Sequence, residues 1–263
     1  MYFPQSGLPK TPGFSAVILV QNQVVLPIIK PLFSSLIYKY LSVNARFISL
    51  LNPFVSVIAI ICCFLPFLLM LWRKLNYKTT YLLVCIYWLI NGIANLPECL
   101  GQSDNSTLQN QITLIYNLID TPLVLLVFYF SATHNKKRIL SWLIILFMVF
   151  ELCMVAWKGH NFDSSTIIIG SGGLIILIFS IAGLAEYFNK IEHSSFEITM
   201  GFIYAAFIFE YGLSIIIFVF SYLNYKRETV NVNLFVYYLS VISATVLTSY
   251  GLWRFARPNF VEE

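Results

Sequence analysis

Long apolar runs separated by short polar breaks set the rhythm of this 263-residue chain. A helix needs about 20 consecutive apolar residues to cross the hydrocarbon core of a bilayer. Seven segments reach that length: residues 52–72, 80–100, 111–132, 139–157, 166–188, 197–223 and 231–255. The runs are continuous, whereas the strands of a membrane barrel would alternate apolar and polar positions. A lipid-exposed open strand would also leave backbone groups unpaired, so the spans are expected to be helical. The pattern therefore predicts an all-α polytopic membrane protein, with a seven-transmembrane-helix bundle over residues 50–263.

The first 49 residues form a tail of different character. Their most apolar piece, residues 14–29, is interrupted by Gln21-Asn22-Gln23 and followed by Pro31. It lacks the basic start and the small-residue cleavage site of a signal peptide. Residues 32–41 mix Leu32, Phe33, Leu36, Ile37 and Tyr40 with Lys39. That mixture suits an N-terminal interfacial helix lying among lipid headgroups, with an eighth span or re-entrant segment as the alternative.

Composition narrows the class further. The chain is 59% hydrophobic and 11% charged, with a mean hydropathy of +0.78. A soluble domain carries about 25% charged residues, so a cytosolic enzyme and a nucleic-acid reader are both excluded. Membrane lipids are the expected surroundings, and a net charge of +4 calls for no anionic partner. Lys and Arg in the short connections orient the bundle. With the first loop cytoplasmic, nine basic residues (Arg73, Lys74, Lys78, Lys136, Lys137, Arg138, Lys190, Arg254 and Arg257) lie inside. Only Lys158, Lys226 and Arg227 lie in the outer loops, although Lys10, Lys30, Lys39 and Arg46 of the tail reduce the bias. The expected location is a plasma or bacterial inner membrane, with the N-terminus outside and the C-terminus cytoplasmic.

The five cysteines, Cys62, Cys63, Cys85, Cys99 and Cys153, show no metal-type spacing and read as small packing residues. His134, His160 and His193 fall in loops or at helix ends, so no span offers a histidine pair for haem or zinc. No cofactor or metal is implied. Gly170-Ser171-Gly172-Gly173 lies inside an apolar span and reads as a close helix contact rather than a phosphate loop.

The candidate chemistry lies in acids at membrane depth: Glu98, Asp120, Glu151 and Glu210. An ionisable group inside a span costs about 2.5–3.5 kcal/mol on insertion scales, so each asks for a reason. No Lys or Arg lies mid-span to pair with them. Asn91, Asn95 and Glu98 share one helix face at i, i+4 and i+7, and Asn117 and Asp120 share another. Tyr116 and Tyr211 stand at similar depth. These stripes predict a polar cavity opening outward. Interior acids without basic partners either take up a proton or bind a cation, and aromatic faces beside them suit an organic ammonium. The bland alternative is a protonated Asp120 bonded to Asn117 or Asn95 as interhelical glue worth about 1 kcal/mol.

Two segments resemble microbial rhodopsins. Asp120-Thr121-Pro122-Leu123-Val124-Leu125-Leu126 is similar to the helix-three run of that family. Ile242-Ser243-Ala244-Thr245 with Gly251-Leu252-Trp253-Arg254 is similar to its retinal-lysine region. Together they cover less than about a tenth of the chain. The resemblance implies the seven-helix layout with an outside N-terminus. Thr245 stands where the family has its retinal lysine, so the resemblance implies no chromophore; Val241 and Tyr116 stand where its acids would be.

Four functions fit these residues. The first is a receptor or sensor holding a small apolar or cationic ligand and signalling through a membrane partner protein. The others are a proton- or cation-coupled transporter or channel, a lipid-modifying membrane enzyme, and an accessory subunit of a membrane complex. No attached effector domain or catalytic motif makes an enzyme the natural reading.

Overall fold

The computed structural model describes residues 45–75, 78–99, 106–159, 162–223 and 227–256. The tail assigned above to the interface therefore lies almost wholly outside the described residues. Seven helices follow in order: α1 Ala45–Trp72, α2 Thr79–Cys99, α3 Ser106–Ser131, α4 His134–Lys158, α5 Phe162–Phe188, α6 Ser195–Leu223 and α7 Arg227–Arg254. No strand occurs among the described residues.

Each helix matches one expected span, and several start earlier than the apolar pattern does. Helical bonding continues past the first apolar residue wherever the chain supplies partners. At α4 the amides of Lys136 and Lys137 both donate to the Thr133 carbonyl at 3.1 Å, so the basic stretch is itself helical. At α6, Ser194 and Glu197 form a reciprocal capping box. The Glu197 amide donates to Ser194 Oγ (3.2 Å), and the Ser194 amide donates to Glu197 Oε2 (3.0 Å).

Six of the helices are long and apolar enough to cross a membrane. The exception is α3, whose apolar part is the shorter stretch Ile115–Ser131. Its first turns carry Gln109, Asn110 and Gln111 instead. The outer surface agrees with a lipid solvent. Phe54, Ile58, Ile61, Leu65, Leu68 and Trp72 line one exposed stripe of α1 at helical spacing, and Ile139, Trp142, Ile145, Leu146, Val149 and Leu152 do the same on α4. Exposed apolar stripes of this length would not persist against water. The interior nevertheless encloses polar side chains, among them Thr80, Asn91, Glu151, Ser180, Glu210, Ser240 and Thr248.

Neighbours in sequence pack side by side from α2 to α7, and α3 also meets α5. At one end Trp72 of α1 lies against Trp253 of α7, their ring centroids 5.2 Å apart. Aromatic residues of α2, α3 and α6 fill the middle. Phe207 packs edge-on against both Tyr87 (5.4 Å) and Phe128 (5.8 Å). Close backbone approach depends on small residues, as the glycine run in α5 suggested. A Cβ on Gly172 would stand 2.2 Å from Thr121 Oγ1 of α3. Against α6, a Cβ on Gly183 would stand 2.7 Å from the Tyr204 ring.

Candidate functional site

The helical periodicity of α2 puts Tyr87, Asn91 and Asn95 on one face, and that face turns toward α6. There Tyr87 Oη and Glu210 Oε1 are hydrogen-bonded at 2.8 Å, and Asn91 Nδ2 donates to the same oxygen at 3.2 Å. Asn95 Nδ2 donates to Asn91 Oδ1 (2.8 Å) and to the Asn91 carbonyl (2.9 Å), which fixes the Asn91 amide with its donors toward the acid. Asn95 also meets Tyr237 of α7.

One residue further along α6, Tyr211 joins the two acids. Its hydroxyl oxygen lies 3.1 Å from that of Tyr87 and is hydrogen-bonded to Asp120 Oδ2 at 2.9 Å. Asp120 on α3 has Tyr116, one turn earlier, beside its carboxyl. The result is an unbroken chain, Asp120–Tyr211–Tyr87–Glu210, running between α3, α6 and α2. Glu151 of α4 is 3% exposed and lies close enough to Asp120 for their charges to interact.

This is a site of acids without bases. Glu210 is 3% exposed, and Asn91 is wholly enclosed. Asp120 Oδ1, Glu151 Oε1 and Glu210 Oε2 are all buried without a hydrogen-bond partner. Orphaned buried carboxyl oxygens are costly, because each has lost its water and gained nothing in return. No Lys, Arg or His side chain is bonded into the cluster among the described residues. None of the described residues forms a group of three metal-type ligands either.

Most of the residues picked out by the sequence meet here: Asn91, Asn95, Tyr116, Asp120, Glu151, Glu210 and Tyr211. Asn117 is half-buried on α3 and joins none of these hydrogen bonds. The side chain of Glu98, in the last turn of α2, lies outside the described residues. Tyr87, which touches both Glu210 and Tyr211, is in sequence one of several tyrosines at this depth, and the structure gives it its partners. Its place four residues before Asn91 puts it on the same helical face.

A second feature lies about two turns away, toward the N-terminal end of α6. A cavity of about 350 Å³ opens between α3, α4, α5 and α6, lined by Ser131, Lys136, Glu186, Lys190, Glu197 and Tyr204 among others. Lys136 pairs with Glu186, and Lys190 with Glu197. Tyr204 and Ser131 share a hydrogen bond of 3.1 Å across its inner edge. Tyr204 and Tyr211 are separated by about 10 Å along the helix at 1.5 Å per residue. Phe128 and Phe207 fill that interval. The sequence placed Lys136 and Lys190 only as loop residues and gave Glu186 and Glu197 no role, because their convergence depends on how four helices pack.

No protein-family model, curated protein or solved structure matches the chain. Fold and site together define the class: an integral membrane protein, all-helical over the described residues, with an acidic and aromatic cluster in its interior.

Proposed function

We propose that this protein is a seven-span, receptor-like membrane protein that binds a small cationic ligand at the Asp120–Glu210 cluster. The supporting observation is the set of orphaned carboxyl oxygens on Asp120, Glu151 and Glu210, buried beside tyrosine rings with no basic partner. An organic ammonium supplies both missing elements, a positive charge for the acids and apolar surface for the rings. The shorter apolar part of α3 is still long enough for a seventh span if its polar first turns lie in the headgroup region. In this reading the N-terminus is outside. The basic end that carries Arg73, Lys136 and Lys190 faces the cytoplasm, where a partner protein would receive the signal.

The layout is rhodopsin-like without a chromophore. Thr245 is buried on α7, and its hydroxyl donates to the carbonyls of Val241 (2.8 Å) and Ile242 (2.9 Å). It leaves no amine for a Schiff base.

Binding of choline, measured against its neutral isostere 3,3-dimethylbutanol by calorimetry in mild detergent, tests the proposal. Choline should bind the wild type, and Glu210→Gln and Asp120→Asn should each weaken it by about tenfold or more, as expected for loss of a buried charge partner. Equal affinity for the neutral alcohol would overturn the charge-based reading. Mass spectrometry of what co-purifies gives the native ligand's class.

A specific observation favours a second reading, proton- or cation-coupled transport. The ionic cavity beyond Tyr204 lies on the side of the bundle opposite the expected opening, with Phe128 and Phe207 packed between it and the acidic cluster. Proteoliposomes carrying a pH gradient distinguish the two, since a receptor leaves the gradient intact.

A further inference from the structure

The chain Asp120–Tyr211–Tyr87–Glu210 contains three contacts between oxygens, at 2.9, 3.1 and 2.8 Å. Each contact needs one proton between its two oxygens to be a hydrogen bond. The two phenols supply one proton each, because a tyrosine hydroxyl has a single O–H. The third must come from a carboxyl group.

Three proton counts can be compared on this geometry. With both acids ionised, Tyr211 donates to Asp120 and Tyr87 donates to Glu210. The two phenol oxygens then face one another at 3.1 Å with no proton between them, and two carboxylate charges are buried without a cation. With both acids protonated, four protons serve three contacts. The surplus O–H falls on Asp120 Oδ1 or Glu210 Oε2, both of which are buried without an acceptor. With one acid protonated, every contact is filled and no donor is wasted. The neighbouring groups leave this balance unchanged. Asn91 adds an amide donor to Glu210, and Tyr116 is hydrogen-bonded to Asp120 and brings its own hydroxyl proton, so it adds one contact and one proton together. Among the described residues, Cys63 on α1, Tyr237 on α7 and Glu151 on α4 also face the pair, and none of them is cationic.

We infer that Asp120 and Glu210 share a single proton through Tyr211 and Tyr87, forming a two-state relay. In one state Asp120 is protonated and donates to Tyr211, Tyr211 donates to Tyr87, and Tyr87 donates to ionised Glu210. In the other all three bonds are reversed. Passage from the first to the second breaks three O–H bonds and forms three. The Asp120 proton goes to Tyr211, the Tyr211 proton to Tyr87 and the Tyr87 proton to Glu210. The negative charge moves from α6 to α3, and no proton enters or leaves. A ligand or field that favours charge on one helix therefore shifts the whole chain. The relay shares its residues with the cation site but stands on the hydrogen-bond count alone, so its test uses protein without added ligand.

Infrared spectroscopy of the protein in lipid membranes counts carboxylic acid groups by their carbonyl stretch, with Glu151→Gln as the common background to remove the third interior acid. That background should show one acid carbonyl arising from the pair. Adding either Asp120→Asn or Glu210→Gln should abolish it, because the new amide supplies the third proton and lets the remaining acid ionise. Survival of an acid band in either variant would mean independent protonation and would overturn the relay. So would a band of two carboxyls, or none, before either substitution. Carbon-13 NMR of unsubstituted protein labelled at aspartate and glutamate makes the same count without relying on variants that must fold. The protonated fractions at Asp120 and Glu210 should sum to one.

Discussion

Tyr87 and Tyr211, on α2 and α6, hold their hydroxyl oxygens 3.1 Å apart, and each touches a different acid, Glu210 buried and Asp120 half-buried. Neither phenol can be understood alone. Tyr87 is 1% exposed and Tyr211 is 6% exposed, so a hydroxyl lost from either is not replaced by bulk water.

Tyr87→Phe and Tyr211→Phe should each destabilise the bundle by about 1–3 kcal/mol, the cost of stranding a buried polar partner. The double substitution should cost less than the sum by about 0.5 kcal/mol or more, since the first already breaks the chain that the second belongs to. Reversible unfolding in mixed micelles, read by circular dichroism, measures all three. Strict additivity would show that the two hydroxyls act independently.

Much of this arrangement was legible in the sequence. The apolar runs located all seven helices, because lipid accepts little else at that length. Asn91 and Asn95 were found by helical spacing, while Asp120 and Glu210 stood out as acids without basic partners. The junction itself was not legible. A tyrosine in an apolar run reads equally well as core, and only the pairing of α2 with α6 gives Tyr87 its two partners. The same holds for Lys136 with Glu186, which lie 50 residues apart in the chain and meet where α4 passes α5. Asn117 shows the converse. It shares a helical face with Asp120, yet it makes none of the cluster's bonds.

The α3–α5 contact makes a sharper prediction. Gly172→Ala should destabilise the protein by about 1–3 kcal/mol, because its Cβ would stand 2.2 Å from Thr121 Oγ1 and 3.1 Å from Thr121 Cβ. Adding Thr121→Ala removes the nearer atom and should recover part of the loss. Gly212→Ala provides the control on the same scale. Its Cβ would meet only Leu177 Cδ1, at 3.9 Å, so the change should be nearly neutral.

At the start of α6, Ser194→Ala removes the hydroxyl that accepts the Glu197 amide, and Glu197→Ala removes the carboxylate that accepts the Ser194 amide. Each should cost about 1 kcal/mol as a lost helix cap. The Lys190–Glu197 pair is half-exposed and should add at most about 1 kcal/mol. Lys190→Ala should therefore cost less than either cap substitution in the same unfolding experiment. A larger loss would assign the stabilisation to the ion pair instead.

Orientation can be tested at the same end. The contact of Trp72 with Trp253 brings the C-terminal ends of α1 and α7 together, with Arg73 6.0 Å from the Trp253 ring. Lys78 lies over Phe196 at 5.0 Å, adding the starts of α2 and α6, and the ionic cavity adds Lys136 and Lys190. Basic residues from three connections thus share one end of the bundle. Loops rich in Lys and Arg are retained in the cytoplasm. In a background with the native cysteines replaced, Lys190→Cys should react with a membrane-impermeant maleimide in inside-out vesicles and stay unlabelled in intact cells. A cysteine placed at Lys158, at the far end of α4, should show the opposite pattern. Labelling of Lys190→Cys from outside would invert the topology and turn the ionic cavity, rather than the acidic cluster, toward the outer medium.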